Sequence, residues 1–311
     1  MSLLPVKRAA RERRSGGEPS TDRRRLLAGK FPLSPLGWIA MLIMIVTTQV
    51  PFLVTLWYSV HDWNLMASGD RDFVGLNNFR TVLALDGVGA SLWNTARMTV
   101  VSLVLAVSIG LGLALLLNRR FRGRGFVRTM IFAAFLVPAS AAALTWKTTM
   151  LDPSYGLVGF LLGTNVDWTA KWPMAVIIVV TTWQWAPFAM LIILAGLQNQ
   201  DESAKEAAMT DGAGPVRVFW HITLPHLRPH IEVTALLGAI FVSQLLDPIF
   251  LLTQGGPGDA TTTAAYKLHS LAFRSFDIGL AAAFGVIVVA ITIAVTLLLL
   301  RLTIKSIRED L

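Results

Sequence analysis

Asp247 is the side chain best placed for chemistry, because it puts a carboxylate into an apolar run, Phe241-Val242-Ser243-Gln244-Leu245-Leu246-Asp247-Pro248. Read as helix, Gln244 and Asp247 lie three apart on one face, and Ser243 and Asp247 form an i, i+4 pair on the adjoining stripe. A carboxylate at membrane depth is costly unless it pairs or faces water. Two readings therefore stand side by side. Either Asp247, with Ser243, Gln244 and the nearby Gln254, lines a path for a hydroxyl-rich solute, or it pairs with a neighbouring helix or reaches the outer interface. Pro248 frees a carbonyl one turn earlier and can kink the helix there. His221, His226 and His230 suggest a metal, but Pro225 and Pro229 are expected to break the helix that would align them. No acidic second shell accompanies them, so no metal site is assigned. The Gly255-Gly256-Pro257-Gly258 run must turn. It is no nucleotide loop, since neither Lys-Ser nor Lys-Thr follows at Walker spacing. The chain has no cysteine, which excludes disulfides, thiolate metal sites and cysteine nucleophiles. No catalytic set emerges, and no cofactor is expected on this chain.

A second stretch, Asp201 to Pro225, is polar and lies between long apolar segments. Ser203 and Glu206 have the spacing of a capping box, in which each side chain satisfies an orphaned backbone N–H. Ala204, Ala207 and Ala208 favour helix and leave one face nearly bare. Gly212 suits the position just past a helix end, and Pro215 the first turn of the next helix. Such a helix–turn–helix is either a surface to be gripped by another protein or an ordinary amphipathic connector.

The elements that position these groups follow from composition. The 311 residues are 54% hydrophobic and 15% charged, with a mean hydropathy of +0.60. Six apolar runs reach the roughly 20 residues that cross a bilayer, at 36–60, 98–117, 126–148, 174–197, 231–252 and 279–301. No period-two alternation competes, so the expected fold is an all-α integral membrane bundle of six spans. Residues 1–35 form a basic arm and 302–311 a short tail. Arg23-Arg24-Arg25-Leu26-Leu27 resembles a twin-arginine export signal in its arginines alone. Pro32 and Pro35 interrupt the stretch after it, and no small-residue cleavage site appears. The arm reads as an orientation signal or a contact with lipid headgroups rather than a nucleic-acid site. Basic residues concentrate in the arm, in the loop from Arg119 to Arg128, around Lys205, Arg217 and Arg228, and in the tail. The positive-inside rule then places both termini, and the loop at 201–225, in the cytoplasm. Trp57, Trp63, Trp93, Trp168 and Trp172 fall at predicted membrane edges, where indole rings are most at ease.

Glu206-Ala207-Ala208, Asp211-Gly212-Ala213, Phe219, Ile222 and Leu224-Pro225 resemble, in order and spacing, the EAA loop of ABC importer permeases. Three further segments resemble the carbohydrate-importing branch of that family, the maltose and glycerol-phosphate type. They are Phe73-Val74-Gly75-Leu76-Asn77-Asn78-Phe79, Leu251-Leu252-Thr253-Gln254-Gly255-Gly256-Pro257, and Phe273 with Phe276-Asp277, Gly279 and Ala281-Ala282-Ala283. Asn94-Thr95, Pro138, Trp146 and Gly156 are similar to it as well. The likeness covers residues 36–301 and leaves out the basic arm.

The resemblance implies a type I permease fold, in which Glu206, Ala207, Ala208, Asp211, Gly212 and Ala213 form a coupling helix that docks on an ATPase. It also implies a set of partners: two ATPase subunits that carry ATP and Mg, a second permease in a heterodimer, and an extracytoplasmic solute-binding protein. The site would be the bacterial inner membrane, and the solute a sugar, a polyol or a glycerol-phosphate-like compound. The alternative is an ion- or proton-coupled secondary transporter using Asp247, with the cytoplasmic loop a mere connector.

Overall fold

In the computed structural model the described residues are 35–67 and 71–309. The basic arm lies outside them but for Pro35. The chain divides into two units, Met1–Phe52 and Leu53–Leu311. In the first, the described residues are 35–52, the larger part of α1 (Pro35–Ser59), with Trp38, Leu42 and Met44 exposed; the last turns of α1 belong to the second unit. All further elements belong to the second unit.

Apolar composition sets where a helix can cross a membrane but not whether it stays straight. α3 (Val88–Asn118) comes after α2 (Asn77–Ala84) and begins ten residues before the expected span. Gly87, at a φ of 81°, turns the chain into it. The early turns hold Trp93, Asn94, Thr95 and Arg97, whose polarity hides them from a hydropathy reading. The third expected span is two helices, α4 (Arg124–Leu136) and α5 (Ala139–Thr145), the latter continued by a π-helical turn, Trp146–Met150. The two pieces meet at 97°. Pro138 forces Val137 out of the helical region, to a ψ of 127°. The carbonyl of Val137 accepts a hydrogen bond of 2.7 Å from Nε2 of Gln184.

α6 (Leu157–Leu162) and α7 (Trp168–Lys171) lead into α8 (Pro173–Gln198), which matches the fourth expected span within a residue at each end. α9 (Glu202–Thr210) and α10 (Pro215–Val218) come next, and a second π-helical turn, Phe219–Thr223, runs into α11 (Leu224–Val242). Here the sequence expectation is corrected: 231–252 is not one helix. α11 begins earlier, because Pro225 is harmless in a first turn, and it stops at Val242. Ser243 Oγ and Gln244 Nε2 both bond to the carbonyl of Ile240, at 3.1 and 3.0 Å. Side chains that recruit a backbone carbonyl in this way compete with the helical ladder. A helix continued through Pro248 would also drive its ring against the Gln244 carbonyl. A third π-helical turn, Ile249–Thr253, then α12 (Ala264–Phe273) and α13 (Ile278–Glu309) complete the chain. α13 runs on through most of the expected tail.

Among the described residues, four helices are long and apolar enough to cross a membrane, and the bent pair α4–α5 makes a fifth. α11, with Arg228 and Glu232 in it, falls short of that standard, so the six continuous spans of the sequence reading are not found as such. No strand forms among the described residues.

α8 is the axis of this unit. Two-thirds of its apolar window (67%) is buried, against 11% for α13. It packs most extensively on α3 and also touches α4 and α11. Met190, Ile193 and Leu194 meet Ala114, Leu117 and Leu227 in one cluster, and Ile177 and Val180 meet Met98, Val242 and Ile249 in another. Gly110 makes the α3–α8 approach possible, since a β-carbon there would lie 2.7 Å from Ala189 Cβ and 2.8 Å from the Met190 nitrogen. Small residues permit such backbone contact where lipid, not water, surrounds the helices. Gly112, two residues on, has open space around it. Gly110→Val is therefore expected to cost about 1–3 kcal/mol from overpacking beyond whatever Gly112→Val costs. Thermal unfolding of the two variants in the same detergent checks this, and equal midpoints would refute the close contact.

Candidate docking helix and outer loops

Residues of the polar stretch form a short helix, α9, between the largely buried α8 and the short α10 that leads into α11. α9 has no buried residue. Glu206, Ala207, Asp211 and Gly212 are exposed, and Ala208 and Ala213 half-buried. Its N-terminus is capped by Asp201, not by the expected Ser203–Glu206 box. The Asp201 carboxylate accepts from the Ser203 N–H at 2.9 Å and from the Ser203 hydroxyl at 2.7 Å. An ionised acceptor makes the stronger bonds and suits the positive end of the helix, so the helix starts two residues before the box. These two bonds hold the Asp201 pKa below its ordinary value. The cap's contribution is therefore present above the ordinary carboxylate range and is lost as pH falls through the lowered value.

At the other end, the Ala213 N–H donates to the Ala208 carbonyl at 2.9 Å and the Gly212 N–H to Met209 at 3.0 Å. This is the Schellman pattern, which needs a left-handed residue. Gly212 supplies it with a φ of 84°. Pro215 sits in the first turn of α10, as expected.

The two roots of this loop are fastened to each other. Gln200, after α8, donates to the Ile222 carbonyl at 3.4 Å. His226 Nε2 lies 3.1 Å from the Gly196 carbonyl. The His230 ring packs so close to Gly196 that a β-carbon there would meet it at 2.8 Å. The sequence reading of these histidines is corrected in its reason. The helix continues through Pro225 and Pro229, and the His226 and His230 rings stand 6.1 Å apart on one face. Among the described residues no group of three potential metal ligands forms. Gly196 and Gln200 escaped sequence analysis, and the i, i+4 histidines were the available signal that something must face them.

Ser243, Gln244, Asp247 and Gln254 are not brought onto one helical face. Ser243 and Gln244 follow the end of α11 at Val242, whereas Asp247 lies beyond the break, where helix resumes. Asp247 is exposed and has neither a hydrogen bond nor an ion pair among the described residues. Gln254, also exposed, closes the third π-helical turn with a φ of 52°.

The loop after Gln254 is tied down by polar groups. Asn94 Nδ2 donates to the carbonyls of Asp259 and Thr262, each at 3.1 Å, and the Ala264 N–H donates to Thr95 Oγ1 at 2.8 Å. Thr253 and Thr261 bond through their hydroxyls at 2.8 Å. Gly255 has a φ of 84° and lies against Thr262 and Tyr266. Two further segments singled out in the sequence also meet. Asn78 Nδ2 donates to the carbonyls of Ser59 and His61, and the carbonyl of Trp63 accepts from the N–H groups of Ile278 and Gly279. A β-carbon on Gly279 would lie 2.5 Å from the His61 carbonyl oxygen. Segments about two hundred residues apart thus form one rim.

Residues 106–309 match the family described as binding-protein-dependent transport system inner membrane component. A probable ABC transporter permease protein, y4oQ of Sinorhizobium fredii, is 36% identical over 280 residues, 86% of this chain and 89% of that protein. The trehalose/maltose transport system permease protein MalF of Thermococcus litoralis is 32% identical over 88% of this chain and 95% of its own. Among solved structures, a bacterial alginate ABC transporter in complex with an alginate pentasaccharide-bound periplasmic protein superposes with a TM-score of 0.73. That match covers 89% of this chain and 93% of that one at 19% identity.

Gly212→Ala is expected to loosen the C-terminus of α9 alone, by about 1–2 kcal/mol of left-handed strain. Faster amide exchange at Gly212 and Ala213, with an unchanged thermal midpoint of the whole chain, would bear this out. A global loss of stability would show that the turn is not a local element.

Proposed function

Since this chain belongs to the binding-protein-dependent transport system inner membrane components, as an ABC transporter permease, we propose that it forms half of the membrane pathway of an ATP-driven importer for a carbohydrate-like solute. Hydrolysis of ATP lies on separate subunits of such transporters. The observation that carries the reading is α9, a helix capped at both ends, without a buried residue and with its two roots fastened together. A helix built to this degree yet burying nothing is a surface waiting for a partner. Glu206, Ala207, Ala208, Asp211, Gly212 and Ala213 form the contact with an ATPase that holds ATP and Mg. Closure of two ATPase subunits moves α9, and Gly196, Gln200 and His226 pass that motion to α8 and α11 together, giving alternating access. Both termini and α9 face the cytoplasm, as the basic residues suggest. The rims at 59–79 and 253–279 then face outward, where an extracytoplasmic binding protein delivers solute, and a second, different permease supplies the other half of the pathway. A sugar, polyol or glycerol-phosphate-like solute fits the trehalose/maltose relative. Gln244, Asp247 and Gln254, exposed around the break in α11, and the half-buried Ser243 are the groups proposed to meet its hydroxyls.

No specific observation favours an ion-coupled carrier. The deciding experiment is co-purification of tagged wild type and of the double variant Glu206→Lys/Gly212→Asp, with partners identified by mass spectrometry and ATPase activity assayed. An ATPase and a second permease are expected with wild type, the ATPase being lost or uncoupled in the variant. A transporter that is active without any ATPase, and indifferent to both changes, would overturn the proposal.

A further inference from the structure

A cavity of about 440 Å³ lies where the π-helical turn after α5, α6, α7 and the first turns of α8 meet. It is lined by Trp146, Leu151, Val158, Trp168, Trp172 and, from α8, Ala175, Val176 and Val179, with no hydroxyl, amide or carboxylate side chain among them. Its only polar side-chain atoms are indole N–H groups, too few to satisfy the hydroxyls of a hydroxyl-rich solute. The wall beside it is more apolar still. α6 is Leu-Val-Gly-Phe-Leu-Leu, and its Phe160, Leu161 and Leu162 are 81%, 71% and 60% exposed. Such a surface is stable against hydrocarbon, not water. The depth agrees, because Trp172 immediately precedes the membrane-spanning α8, at the level where indole rings mark the interface.

The rim adds a charge. Lys147 donates to the Leu251 carbonyl at 2.8 Å. The Asp167 carboxylate is engaged by the Thr169 hydroxyl and the Ala170 N–H, at 2.7 and 3.0 Å. Lys171 differs from both. Its ammonium has no hydrogen bond or ion pair among the described residues and rests 4.4 Å from the centroid of the Trp172 ring. An apolar slot, lipid-facing at its wall and with an unpaired cation at its mouth, matches one kind of ligand.

We propose that this cavity is a phospholipid site of the outer leaflet, the acyl chain lying between Trp146, Trp168 and Ala175–Val179 and the phosphate meeting Lys171. The leaflet, though not the lipid, rests on the orientation proposed above. The test uses the assembled transporter with a photo-crosslinking benzoyl-phenylalanine at Val179, reconstituted in phosphatidylglycerol mixed with a galactosyl diacylglycerol that lacks phosphate. Mass spectrometry of the α8 peptide is expected to show a phosphatidylglycerol adduct in excess. Ala175→Trp, which fills the slot, should abolish it, and Lys171→Glu should lower it about fivefold. An adduct to another polypeptide, equal labelling by both lipids, or no adduct would each overturn the proposal. ATPase-coupled import measured on the same sample reports on the importer reading independently.

Discussion

The contact of the His230 ring with Gly196 is the constraint from which the part of the second unit around α9 takes its form. Two helices can approach so closely only where one offers no side chain, and the polar ring then excludes any other occupant. With α8 and α11 joined at this point, the chain between them has little freedom, and it folds back as a short capped helix. That helix gains nothing from burial. Its persistence depends on local bonds at its two ends, by Asp201 and by Gly212, and on the fixed separation of its roots. An element of this kind is stable as a shape while leaving its surface unspent.

Different physics shapes the rim. There, order comes from side-chain amides and hydroxyls that satisfy backbone carbonyls and N–H groups in irregular chain, as Asn78, Asn94 and Thr95 do. Near a membrane edge an unpaired backbone group is costly, so each of these side chains permits a stretch of non-helical chain to exist. The likeness of these residues to those of sugar permeases is thus a likeness of scaffolding. It says how the rim is held.

How much of this could be read from the sequence varied with the range of the interactions involved. α8 was legible to within a residue at each end, and so were the turn at Gly212 and the start at Pro215, because each depends on local pattern. The cap at Asp201 was missed because two acceptable acceptors stand two residues apart, and only their bonds decide between them. The right-angle bend at Val137 and the break after Val242 were invisible to hydropathy, which counts methylenes without sensing carbonyls. The pairing of His226 and His230 with Gly196 is a tertiary fact, which periodicity hints at and cannot locate.

The bond from Gln184 to Val137 has a mechanical consequence. Gln184 and Gly196 belong to one continuous helix, about 18 Å apart at 1.5 Å per residue. One grips the elbow of the broken third span, and the other is gripped by the root of α9. α8 therefore ties the elbow and the root together through a single helix, whose one interior proline, Pro187, lies near the elbow clamp.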